Sequence, residues 1–305
     1  MVDGGAGMNR IGLEWIGSMS EVIVLGCGYV GTRVARQYLD RGEQVSGIVR
    51  SAEGCARLEA AGISCTRLDL AAEEAPGGAF EGARLLHLAP PAAQGVEDVH
   101  TRRLVASFER AGQPRRLLYI STTGVYGDCD GRWVDESWPT RPTADRSRRR
   151  LDAEETLRHW SRETGGELVI LRVSGIYGPG RLPLERLKQG APMVAAEEAP
   201  YSNRIHVDDL VTICIAAMDR AADGAIFNVS DGNPSTMTEY FLQIADATGL
   251  PRPPLIPMSE AAGRLSAGMM SYMRESRRLS NRKVCEALGI SLRYPSLAEG
   301  LQASL

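Results

Sequence analysis

Two groups of residues have types and spacings suited to chemistry. The first is Gly26-x-Gly28-x-x-Gly31, set between the apolar run Glu21–Leu25 and a helical pattern. In that setting Gly26 allows a tight turn, Gly28 lets the backbone approach a pyrophosphate, and Gly31 lets the helix pack close to the strand. The helix N-terminus then offers free N–H groups and a positive dipole end to phosphates, with Tyr29 and Val30 as its first residues. A dinucleotide that is not 2′-phosphorylated is usually held by an acid about 20 residues further on. The second strand instead ends Ile48-Val49-Arg50-Ser51. Arg50, with Arg33 assisting and Ser51 beside it, suits a 2′-phosphate, so the expected cofactor is NADP(H) in preference to NAD(H). Asp69, closing the third strand, reads either as an adenine contact or as a helix cap. Leu88, Ala89 and Pro90, closing the fourth, are further candidate cofactor contacts on the same sheet edge. The second group is the run Arg141–Arg150, which carries five arginines. It reads either as a solvated helix start or as a site for an anionic ligand.

The elements that must position these residues follow from hydrophobic periodicity. Strands are expected at Glu21–Leu25, Gln44–Val49, Ile63–Leu68, Arg84–Ala89, Arg116–Ser121 and Leu168–Val173. Helices are expected at Thr32–Arg41, Ala52–Ala61, Val96–Ala111 and Asp145–Thr164. This alternation means parallel βαβ units, and near-continuous apolar strands mean a sheet covered on both faces. The expected fold is α/β, a doubly wound parallel sheet of Rossmann type. The dinucleotide-binding domain spans 20–175, and the chain returns to it at about 204–230. The rest of 176–305 is a smaller, less regular region capping the substrate side. Residues 1–19 read as a loose leader.

Bulk properties exclude other classes. The chain of 305 residues is 43% hydrophobic with net charge −3, so nothing global points to nucleic acid or to an anionic membrane. No apolar run approaches the roughly 20 residues of a spanning helix. The six cysteines form no C-x-x-C pair and are expected to be free thiols in a reducing cytoplasm. His206-x-Asp208-Asp209 supplies too few ligands for a metal, and none is expected.

Several segments together resemble the extended, here atypical, short-chain dehydrogenase/reductase family of NAD-dependent epimerases, dehydratases and reductases. They are Ser121-Thr-Thr-Gly-Val-Tyr-Gly127, Leu171-Arg-Val-Ser-Gly-Ile-Tyr-Gly-Pro-Gly180, Arg204-Ile-His-Val-Asp-Asp-Leu210, Phe227-Asn-Val-Ser230 and Asn281-Arg-Lys283. The resemblance implies that Thr122 contacts the reacting oxygen and that Tyr177 borders the nicotinamide. It also implies a homodimer through Val96–Ala111 and Asp145–Thr164. The family works with Tyr-x-x-x-Lys on the long helix. Here those slots hold Arg146 and Arg150, and arginine is no general acid near neutral pH. The two arginines are therefore expected to act as fixed cations on an oxyanion or an anionic substrate, with Tyr126 or Tyr177 as proton donor. Two functions remain open. One is an NADP(H)-dependent oxidoreductase or epimerase of a small polar, anionic or sugar-nucleotide substrate; the other is a non-catalytic NADP(H)-binding redox sensor.

Overall fold

The computed structural model describes residues 21–305; the expected leader at 1–19 lies outside them. The chain opens with β1 (Val22–Leu25), α1 (Tyr29–Asp40), β2 (Val45–Val49), α2 (Ala52–Ala60), β3 (Ser64–Arg67), β4 (Arg84–His87), α3 (Val99–Ala111) and β5 (Arg116–Thr122). It continues through a 3-10 turn at Thr123–Tyr126 to β6 (Trp133–Val134), α4 (Asp145–Thr164) and β7 (Glu167–Val173). Then come β8 (Gly175–Tyr177), α5 (Leu184–Lys188), β9 (Met193–Val194), β10 (Tyr201–Ser202), β11 (Arg204–His206), α6 (Val207–Arg220) and β12 (Ile226–Val229). The chain ends with β13 (Ser235–Thr236), α7 (Met237–Thr248), β14 (Leu255–Ile256), α8 (Met258–Arg264), α9 (Ala267–Met273), β15 (Arg278–Leu279), α10 (Arg282–Leu288) and α11 (Leu297–Gln302).

Seven strands form one parallel sheet in the order β12-β7-β5-β4-β1-β2-β3. The order reverses between β1 and β4, which creates the crevice where doubly wound sheets take ligands. Burial on both faces explains the apolar strand sequences. One layer packs Val34, Ala35, Tyr38 and the α6 residues Leu210, Ile213 and Cys214 under the sheet. The other packs Leu104, Phe108, Ala153, Leu157 and Trp160 of α3 and α4 over it. The α3 helix starts at Val99, three residues later than its apolar pattern suggests, because the Asp98 side chain accepts from the N–H groups of His100 and Thr101 and caps it there. A separate cap core gathers Tyr177, Leu187, Met193, Tyr240, Phe241, Leu297 and Leu301.

The cysteine expectation needs correction. Cys55 in α2 and Cys65 in β3 form a disulfide, and Cys27, Cys129, Cys214 and Cys285 are free. The pair is ten residues apart. Gly62, at φ +74°, turns the chain back between α2 and β3 and brings the two residues together. A search for short cysteine spacings misses such a pair.

A buried charge network ties α4 to the sheet. Glu154 is fully buried; it accepts from Arg172 through both carboxylate oxygens (3.2 and 2.9 Å), from Arg158 (2.9 Å) and from Ser121 (2.5 Å). Arg172 also donates to the Tyr126 hydroxyl (3.0 Å), which donates to Asn228 Oδ1 (2.7 Å). None of the buried side-chain polar atoms of this network is without a partner, which is what makes burial of these charges tolerable. Replacing Glu154 with Leu strands the Arg172 guanidinium without its carboxylate. We expect Glu154→Leu to lose about 3 kcal/mol or more of unfolding free energy, read by urea denaturation; a loss below about 1 kcal/mol would contradict the assignment.

Candidate functional site

The glycine loop sits at the C-terminal end of β1, in the crevice. Gly26 has φ +84°, and a Cβ there would overlap the backbone of Leu88 and Ala89. At Gly31 a Cβ would come 2.9 Å from Val24 Cγ1, so this glycine sets how closely α1 lies on β1. Gly28 is open; its first neighbour would be 3.9 Å away. It also precedes an α1 N-terminus with no side-chain cap and no acid in its first turn. No capping side chain therefore competes for the N–H groups of the first turn, the kind of helix start that accepts phosphate oxygens. Val30 packs against the core.

Tyr29 ties this loop to the cap. Its hydroxyl donates to Pro179 O (2.9 Å), and its ring lies between the guanidinium of Arg33 (4.2 Å) and that of Arg181 (4.6 Å). Arg33 also donates to Tyr29 O. Sequence alone places Arg181 at the start of a substrate-specificity loop, 181–203, and gives no sign of this contact. Arg50 is exposed at the end of β2 and has no partner among the described residues. Ser51 accepts from Gly54 N–H and caps α2. Asp69 Oδ1 accepts from Ala71 N–H (3.0 Å), so its carboxylate closes a turn locally. Leu88 and Ala89 flank Gly26, and Pro90 follows them, exposed.

The residues expected to carry the chemistry, Thr122, Arg146 and Arg150, lie at the end of β5 and in the first turns of α4. Thr122 Oγ1 accepts from Gly124 N–H, which leaves its own proton free to donate. Gly124 faces Ser147 closely enough to draw the start of α4 onto the Thr122 turn. Arg150 Nη1 donates to Ala89 O (3.3 Å), Tyr119 Oη (3.0 Å) and Ile120 O (3.0 Å). Its other nitrogens have no partner among the described residues. Arg146 reaches across to α9: Nη1 donates to Ser271 Oγ (2.7 Å), and the guanidinium stacks over the Tyr272 ring at 4.4 Å. Tyr272 is 52% exposed. Sequence alone places Tyr272 at the end of a second substrate-specificity loop, 258–272, without its contact to Arg146.

The two tyrosines offered as proton donors are misplaced for that task. Tyr126 is 1% exposed, its hydroxyl is engaged by Arg172 and Asn228, and burial pushes its pKa up to about 12. Tyr177 points into the cap core, against Gly300, Tyr240 and His206, rather than toward the crevice; burial raises its pKa as well. Both expectations followed from motif membership, and side-chain direction overrides them. The Arg204–Leu210 segment is a structural node: Asp209 accepts from the N–H groups of Arg293 and Tyr294, and Arg204 stacks on Tyr240 at 4.0 Å. No cluster suited to a metal occurs among the described residues. No helix there is long and apolar enough to cross a membrane. A cavity of about 840 Å³ lies away from all these residues, beside the β12 edge, lined by Trp133, Glu136, Ile226 and Lys283 among others.

Beneath Arg150, His87 is fully enclosed. Its Nε2 is 2.9 Å from Thr101 Oγ1, whose proton goes to Asp98 (2.8 Å). Nε2 therefore carries the ring proton, and Nδ1 is left without a partner. Burial, reinforced by the nearby Arg150 charge and opposed by Asp98, lowers the His87 pKa to about 4. The unfolded chain takes up this proton near pH 6.5, the folded chain near 4, so the stabilising contribution is complete above 6.5 and is lost as pH falls through 4. We expect unfolding free energy to drop by about 1 kcal/mol or more between pH 7 and pH 5. His87→Gln should flatten that slope, and an unchanged slope in urea titrations at the two pH values would overturn the assignment.

The model of the NAD dependent epimerase/dehydratase family matches residues 22–230. Protein YeeZ of Escherichia coli K12 is 25% identical over 290 residues, 91% of this chain and 97% of that protein. Among solved structures, a conserved protein of unknown function from Silicibacter pomeroyi is 32% identical with a TM-score of 0.81, covering 93% of this chain and 97% of that one. UDP-glucuronic acid 4-epimerase from Bacillus cereus in complex with NAD is 16% identical with a TM-score of 0.71 over the same shares, a likeness of fold alone.

Proposed function

The chain belongs to the NAD dependent epimerase/dehydratase family, and on that premise we propose that it is an NADP(H)-dependent oxidoreductase whose small substrate carries an anionic group. The arginine pair on α4 carries this reading. Four residues apart, Arg146 and Arg150 share a helix face. One reaches the cap and the other the strand ends. A carboxylate or phosphate, including that of a sugar nucleotide, is what such a permanent pair of cations recognises.

The fit to a 2′-phosphorylated dinucleotide rests on the open, uncapped start of α1, the unobstructed Gly28 and the unpartnered Arg50. When bound, the nicotinamide would supply the hydride chemistry. The Thr122 hydroxyl would donate to the reacting oxygen, and the unengaged nitrogens of Arg150 would stabilise charge on it. Arginine cannot hand over a proton near neutral pH. With Tyr126 and Tyr177 buried, the exposed phenol of Tyr272, already against Arg146, would serve as the proton-carrying group.

Two measurements test this. In calorimetric titration, NADPH should bind at least tenfold tighter than NADH, and Arg50→Ala should remove most of that difference, about 1.5–3 kcal/mol for a charge-assisted contact. Tighter NADH would refute the cofactor assignment. With NADPH and a panel of sugar nucleotides and carbonyl acids, substrate-dependent loss of the reduced-nicotinamide absorbance should vanish in Thr122→Val and fall about a hundredfold in Tyr272→Phe. Binding without turnover across the panel would instead favour a redox sensor, the reading that the missing Tyr-x-x-x-Lys pair supports.

A further inference from the structure

The Cys55–Cys65 disulfide joins two sparsely buried elements of the nucleotide half. The α2 helix buries only Gly54 and Leu58. Its partner β3 is an edge strand of the sheet, four residues long, with no fully buried residue. Few apolar contacts hold these two elements, so a covalent tie between them carries an unusual share of their order. Both sulfur-bearing residues are partly exposed. Cys27, Cys129 and Cys214 are buried, and burial raises their thiol pKa values. Cys285 is partly exposed and unpaired. Cys55 sits in the first turn of α2, where its N–H donates to Ser51 O. Ser51 caps the helix and follows Arg50 directly, so the tie anchors the turn that presents the Arg50 guanidinium.

We propose that Cys55 and Cys65 form a reversible thiol–disulfide modification site that controls the order of α2 and, through Arg50, the affinity for the 2′-phosphorylated end of the cofactor. The coupling rests on the cofactor reading above; the site itself does not. Partly exposed disulfides are the ones that small thiols can reach. A dithiol reductant attacks one sulfur, the Cys55–Cys65 bond breaks, and a mixed disulfide forms. The reductant's second thiol then displaces the remaining protein sulfur. Two electrons and two protons pass to the cysteine pair, and the reductant leaves as its own disulfide. Glutathione disulfide reverses the exchange. The reduced form leaves α2 tethered only by its few contacts, so Arg50 is less well placed.

The full chain is compared before and after dithiothreitol, and after re-oxidation with glutathione disulfide, with thiols counted by alkylation and mass spectrometry. Reduction should weaken NADPH binding by about fivefold, the low end of usual coupling between sites, and NADH binding less. It should also raise hydrogen exchange across residues 50–62. Cys55→Ser should match the reduced protein and ignore reductant, whereas Cys285→Ser should respond as the parent does. The proposal fails if the folded protein resists the reductant, or if NADPH affinity is the same in both states. Should NADPH bind neither state, the cofactor reading is the one at fault. Hydrogen exchange then decides the site alone: faster exchange confined to 50–62 supports it, and none overturns it.

Discussion

The contact on which the site geometry depends is the buried pair Glu154–Arg172. Taking two charges out of water costs several kcal/mol per ion unless every remaining hydrogen-bonding position is filled. Here Ser121, Arg158, Tyr126 and Asn228 fill them, drawn from β5, α4, the turn after β5 and β12. Such a network tolerates only one rotation of α4 about its axis. Residues 146, 150, 154 and 158 form a single ridge along that helix, each step rising about 6 Å. Once Glu154 is locked into the sheet, Arg150 must arrive at the strand ends and Arg146 must clear the sheet and meet the cap. The contacts with Ile120 O, Ala89 O and Ser271 are consequences of that lock.

Local features were legible in the sequence. The glycine spacing, the strand before it and the helix after it are one continuous stretch, and a turn with φ +84° pressed against Ala89 asks for glycine whatever else the fold does. Element order followed from periodicity for the same reason, with ends shifted by a few residues where a capping side chain such as Asp98 decided the start. The strand near Ile226 that completes the sheet is less legible, since its partner β7 is more than 50 residues earlier.

Features set by long-range contacts could not be read. Tyr126 and Tyr177 belong to segments that run beside the crevice, yet a residue on such a segment can face either way. Tyr126 turns toward Arg172 and Asn228, and Tyr177 toward Gly300 and Tyr240, because those neighbours exist only in the folded chain. The contacts of Arg181 and Tyr272 are hidden for the converse reason: their local sequence marks no more than specificity loops, and the partners that give them meaning, Tyr29 and Arg146, lie on distant elements. The cysteine pair belongs to the same class.

This difference in legibility follows the division of labour in the site. On the proposed reading, the phosphate end is built from backbone: N–H groups at the start of a helix, a turn that excludes Cβ atoms, an open approach at Gly28. Backbone groups are present in every residue, so a few glycines suffice to preserve the end that binds. The reacting end is built from side chains, where one substitution replaces a titratable phenol with a permanent cation. The same α4 geometry that would hold a tyrosine and a lysine holds Arg146 and Arg150 without strain on the sheet, because the lock at Glu154 lies one turn further on. A dinucleotide fold can therefore keep its binding end intact while its chemistry changes. On the reading proposed above, the half-buried Ser271 and the exposed Tyr272 of α9, both against Arg146, are the groups that would set which substrate this chain takes.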